Sequence, residues 1–225
     1  EIFHSKSRNS AKSREMMLRY VNAVSPLVES GRFYSFLLQL EDRHRKSPES
    51  LEYILDVSSY AVRSGCDIHI EFRHRSWHEK DVLQALKDNG IGICNTEIPA
   101  VPHAFPLKAY TTTSKGYMRY SGKNLENWYP DKEQTTTRDQ IESRNACYDY
   151  IYSPDEVSER VHGQIALRQK ATGVAVAYNN HYNAQAVLNG IQNLKILNQR
   201  LLLDVDSASP RSSNPSNYKT RQTLE

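Results

Sequence analysis

Sulfur and indole side chains are scarce in this chain of 225 residues, which holds three cysteines, three methionines and two tryptophans. Cys66, Cys94 and Cys147 are odd in number and far apart. Neither a disulfide framework nor a metal-ligand spacing follows, and a reducing, cytoplasmic setting is expected. No apolar run approaches the length of a membrane span, and nothing at Glu1 resembles a signal peptide, so a soluble chain with no membrane partner is expected. Charge of one sign is also in short supply. A net charge of +3 is too weak to point to nucleic acid by itself. A glycine-rich phosphate loop is missing after the first visible strand, where Leu38-Gln39-Leu40-Glu41 holds no glycine.

What is present alternates strand with helix. Phe33 to Leu40 reads as a strand, followed by a helix that starts at Ser47-Pro48-Glu49 and stops at Gly65. In Asp67 to Phe72, Ile68, Ile70 and Phe72 share one face of a strand, while Asp67, His69, Glu71 and Arg73 share the other. Ser76-Trp77-His78-Glu79 has the form of a capping box for the next helix, which Asn89-Gly90 ends. Ile91 to Cys94 and Gly116 to Tyr120 are further strands, the second followed by a long loop to about Asp149. Ser153-Pro154-Asp155-Glu156 is a second capping box, and Val174 to Tyr178 reads as a fully buried strand. A last helix from Asn183 to Leu203 carries Val187, Ile191, Leu194 and Leu201 on one face. Glu15 to Ser30 is helical as well. Residues 204–225 are rich in Ser, Pro and Asn and are expected to form a disordered tail. Such alternation predicts an α/β fold with a parallel sheet, doubly wound or a barrel, and the absent glycine loop favours the barrel.

Several of these segments together resemble the YecE-like family, a domain of unknown function. They are Glu71-Phe72-Arg73-His74 with Ser76-Trp77, Tyr117-Met118-Arg119 leading to Gly122, Lys123-Asn124 with Trp128, Tyr148 to Ser153, and Asn179-Asn180 followed by Gln185, Ala186 and Asn189. The resemblance implies a TIM-like (β/α) barrel over residues 1–203 and no established reaction. It also implies three earlier family strands that this chain lacks, so an incomplete barrel or a fragment is expected, with Glu1 to His4 ending the third strand. Family members usually carry His where this chain has Tyr120, and Gly where it has Ala184.

In a barrel of this kind, side chains at the C-terminal strand ends converge. Strand parity brings Gln39, Glu71, Arg73, Tyr117, Arg119 and Asn179 to that place. Glu71, Arg73 and Arg119 are the catalytic candidates. The arginine forks suit phosphate or carboxylate, and Glu71 either holds them or acts as a base. A buried ion-pair network that only fills the barrel is the bland alternative. Gln39, His74, Trp77, Tyr117, Lys123, Asn124, Asn179, Asn180 and His181 are the candidate binding residues. His74 and His78 are four apart, but the cap between them argues against a metal pair, and no metal or cofactor is implied. Trp77 either packs the helix to the rim or offers a stacking face. Tyr148, Tyr150 and Tyr152 with Trp128 form either an aromatic platform or a packed loop.

Three functions compete. The first is an enzyme-like site for an anionic small molecule. The second is a nucleic-acid-binding module, which the small net charge disfavours. The third is a non-catalytic scaffold or homo-oligomer.

Overall fold

The structure is a computed structural model that describes residues 10–128 and 145–208. Its centre is one parallel sheet of five strands in sequential order. These are β1 (Phe36–Gln39), β2 (Ile68–Glu71), β3 (Gly92–Glu97), β4 (Lys115–Tyr120) and β5 (Gly173–Tyr178). Parallel neighbours need crossovers, and helices α2 (Pro48–Arg63), α3 (Lys80–Asp88) and α4 (Pro154–Arg168) supply three of them. The β3–β4 crossover has no helix. Asn95 pins it instead, exchanging hydrogen bonds with the Tyr110 backbone at 2.9 Å in each direction. Helix α1 (Ser10–Glu29) precedes the sheet, and α5 (Gln185–Ala208) closes the described chain.

Caps fix where two of the crossovers start. The Ser47 hydroxyl accepts from the Ser50 N–H with Pro48 in the first turn, and Ser153 and Glu156 form the reciprocal capping box. The expected box at Ser76 does not form. His74 takes the cap: its Nδ1 accepts from the Ser76 N–H at 3.1 Å and opens a short 3-10 turn over Arg75–Trp77. Helix α3 then begins at Lys80, and the Ser76 hydroxyl is taken by the Lys46 N–H instead.

The side of the sheet facing the helices holds the apolar core. Ile68, Ile70 and Phe72 meet Ile54, Val57 and Ala61 of α2, Val82 and Leu86 of α3, and Trp77, all inaccessible to solvent. Burying each large aliphatic side chain contributes about 1.5–3 kcal/mol. On the opposite face, parity and register place Leu37 and Gln39, His69 and Glu71, Cys94 and Thr96, Tyr117 and Arg119, and Ala175 and Ala177. This face is concave at its N-terminal end. The Tyr34 hydroxyl, just before β1, donates to the Gly116 carbonyl at 2.7 Å and accepts from the Ala175 N–H at 3.2 Å. One side chain thus links the start of β1 to the far edge of the sheet.

Two expectations about the C-terminal part are corrected. β5 is half-buried throughout, not fully buried, because among the described residues it pairs with β4 alone. Helix α5 shows Val187, Ile191 and Leu194 to solvent and buries Asn189 and Asn193. These asparagines are held by partners: Asn189 brackets Tyr152, and Asn193 accepts from Gln164 at 2.6 Å. α5 also runs on to Ala208, past the expected end at Leu203, and residues 209–225 of the expected tail lie outside the described residues. No helix among the described residues is long and apolar enough to cross a membrane.

Candidate functional site

Four of the residues singled out in the sequence meet at the C-terminal end of the concave face. Arg119 Nη1 donates to Gln39 Oε1 and to Glu71 Oε2, both at 2.7 Å. Arg73 Nε reaches Glu71 Oε1 at 3.2 Å, so each Glu71 oxygen faces a different guanidinium. The Glu71 side chain has no solvent access, and those of Arg73 and Arg119 keep 12% and 15%. Two guanidiniums against one carboxylate leave the cluster with an excess positive charge in a poorly solvated place. Burial works against the Arg73 charge, yet Glu71 and Tyr148 outweigh it and its proton is held more tightly than usual.

Two buried polar atoms on this face have no hydrogen-bond partner among the described residues: Arg73 Nη2 and Thr96 Oγ1. Thr96 is the register mate of Arg119 and was not among the expected site residues. Beside Arg119 on the other side lies Ala177, with Ala175 one step below, so its β5 neighbours on this face are small. Cys94 is fully buried between Glu71 and Tyr117 in register. Burial pushes its thiol well up, which argues against a nucleophile. Tyr117 shares the face but sits one step deeper, near Tyr34 and His69, and burial raises its hydroxyl as well.

Other expected residues take different places. Trp77 is buried in the helix-facing core, stacked on Phe72 at 4.8 Å, with its indole N–H on the His44 carbonyl. Its ring is packed in the core between the sheet and the helices. His74 is buried as the cap already described, and its ring stacks on His103. His78 binds the Tyr110 hydroxyl at 2.7 Å, so the two histidines have separate partners. Lys123 pairs with Glu156 of α4 at 2.6 Å, and the Asn124 amide braces the carbonyls of Ala146 and Asp149. Asn180 is fully buried and donates to the Tyr150 carbonyl and to Asn189, a brace between loop and helix. Asn179, half-buried, leans on Ser121 at 3.4 Å. Tyr120 faces the helices beside Gln164, away from the Glu71–Arg73–Arg119 cluster.

The three tyrosines do not share one platform. Tyr150 and Tyr152 pack edge-on at 5.0 Å, and Tyr152 is buried against Tyr120 and Tyr178. Tyr148 joins a different group. The Arg73 guanidinium lies 5.5 Å from the Trp128 ring, Trp128 meets Tyr148 at 6.3 Å, and Tyr148 meets His181 at 4.7 Å.

Comparison with known proteins agrees with this architecture. No curated protein matches the chain. A DUF72 family protein from Thermotoga maritima superposes with a TM-score of 0.71 at 27% identity, covering 82% of this chain and 65% of that one. Two structures of a DUF72 family protein from Enterococcus faecalis give TM-scores of 0.71 and 0.68, at 24% and 25% identity. They cover 87% and 82% of this chain, and 68% of the relative in each case. The chain therefore spans just under two thirds of the Thermotoga maritima protein's length. The family model for the Protein of unknown function DUF72 matches residues 2–214, and the chain belongs to that family.

Proposed function

We propose that the Glu71–Arg73–Arg119 cluster binds the anionic group of a small molecule, a phosphate or a carboxylate. The observation that carries this reading is the buried Arg73 Nη2 without a partner among the described residues, next to an excess positive charge. A buried guanidinium nitrogen left unpaired costs free energy, and an anion would remove that cost. The unpartnered Thr96 hydroxyl on the same face adds a donor beside Arg119. Glu71 serves here as the anchor that orients both guanidiniums, since each of its oxygens is already taken.

The test is thermal stabilisation by a panel of phosphorylated and carboxylated metabolites. Saturation at about 100 times the Kd stabilises by about 2.7 kcal/mol. Arg73→Lys and Arg119→Lys keep the charge and lose the fork, so they should abolish the shift while the variants still melt cooperatively. A panel that stabilises neither wild type nor variant sinks the proposal.

We further propose that the five strands are the last part of an eight-stranded barrel, with the earlier strands outside this chain. Among the described residues β1 and β5 each pair on one side only, and this and the solvent-facing Val187, Ile191 and Leu194 support this reading. The chain alone should bind an apolar fluorescent dye, and Ile191→Glu should reduce that signal. Dye binding equal in wild type and variant would count against it.

A further inference from the structure

We infer that the ligand joins its anionic group to a planar ring, and that a nucleoside monophosphate is the class that fits; this rests on the anion reading above. Three rings reach this place from three separate segments: Trp128 after β4, Tyr148 before α4 and His181 after β5. Trp128 and Tyr148 both touch the Arg73 guanidinium, Tyr148 through a side-chain hydrogen bond, and the centroid steps from Trp128 to Tyr148 and on to His181 are 6.3 Å and 4.7 Å. Exposure rises along the same line. Trp128 is 9% exposed, Tyr148 is half-buried and His181 is open to solvent.

A loop that merely covered the sheet would bury its rings most deeply at the centre of the cluster. Here the outermost ring is a histidine left in solvent, which apolar packing alone does not call for. Arg73 is shared between the two halves: its guanidinium contacts Trp128 while its Nη2 stays unpartnered. A phosphate on Arg73, Arg119 and Thr96 would therefore place whatever it is attached to against the rings. The β5 residues beside Arg119 on this face, Ala175 and Ala177, are small. A sugar phosphate or a simple carboxylate would use the cationic half only.

Flat bases stack on aromatic side chains, and every base has a π-face, so the rings should favour a nucleotide without selecting its base. The Tyr148 and His181 rings present faces to each other, tilted by 38°. Affinity for purine and pyrimidine nucleotides should therefore be similar.

The experiment is calorimetric titration of the whole chain with AMP, UMP, ribose 5-phosphate, inorganic phosphate and adenosine. AMP and UMP should bind at least about tenfold tighter than ribose 5-phosphate. His181→Ala should erase that margin and leave ribose 5-phosphate affinity unchanged. A single-stranded trinucleotide assigns the nucleotide to a strand if it binds tighter than AMP, and to a free nucleotide if it binds more weakly. Equal affinity for ribose 5-phosphate and AMP overturns the ring inference and leaves the anion site standing. If no phosphorylated compound binds, both fall.

Discussion

Arg119 on β4 hydrogen-bonds Glu71 on β2, reaching across β3 at 2.7 Å. The same nitrogen also holds Gln39 on β1, so one side chain ties β4 to both β2 and β1 at their C-terminal ends. The concave face closes at both ends by side-chain links, Arg119 above and Tyr34 below. An anion bound at the upper link would meet a guanidinium whose position is already fixed, and little ordering would be left for the ligand to impose.

Removing the carboxylate should therefore cost more than removing either cation. Glu71→Gln leaves two poorly solvated guanidiniums without their counter-charge, a change expected to lower stability by about 3–5 kcal/mol. Arg119→Met leaves Glu71 still paired with Arg73 and should cost less. Urea unfolding of the two variants gives the order. A Glu71→Gln protein as stable as Arg119→Met would mean that solvent reaches the cluster.

Gly92 faces His69 directly across the β2–β3 ladder. A Cβ at Gly92 would overlap the imidazole ring of His69. That ring is itself held between the Ser35 hydroxyl at 2.6 Å and the Lys115 carbonyl at 3.1 Å, so it has nowhere to move. Gly92→Ala should lose about 1–3 kcal/mol through overpacking. In a His69→Ala background the same change should cost much less, and a double-mutant cycle by chemical denaturation reads the coupling. Additive losses would show that the ring is not the obstacle.

Ala184 has φ of 60°, in the left-handed region, where the family resemblance expects glycine. An L side chain there costs about 1–2 kcal/mol, partly offset in a glycine variant by its freer unfolded chain. Ala184→Gly should consequently stabilise the protein by up to about 1 kcal/mol. In an ordinary helix interior the same substitution destabilises by a similar amount. The sign of the change in Tm decides between the two.

The strand–helix order and most of the cluster were legible because they rest on local rules. Period-two alternation puts Glu71 and Arg73 opposite Ile70 and Phe72, and Ser153-Pro154 with Glu156 marks a helix start. Thr96 was not legible. The apolar run stops at Cys94, while Asn95-Thr96-Glu97 continues β3 in register with β4, its polar side chains satisfied by the Tyr110 backbone at Asn95 and by Arg160 of α4 at Glu97. The Ser76 box failed for a related reason: it satisfied the motif, but the neighbouring His74 ring occupied the cap. In α5 the apolar stripe was read correctly as a stripe. Its direction depends on which neighbours Asn189 and Asn193 find, and no helical period carries that information.

Acid should act on the capping box of α4 through Glu156. Burial alone would raise its carboxyl. The Lys123 ammonium, the Ser153 N–H and the Tyr150 hydroxyl outweigh burial and bring it from 4.5 down to about 2. The folded form thus releases this proton more readily than the unfolded chain. Its contribution to stability is complete above pH 4.5 and drains away as pH falls toward about 2. Glu156→Gln should be less stable than wild type near neutral pH, and the gap should narrow steadily between those two values. Thermal melts of both proteins across that range test the slope. A gap that stays constant, or widens in acid, would show that Lys123 and Tyr150 do not hold the carboxylate as the geometry implies.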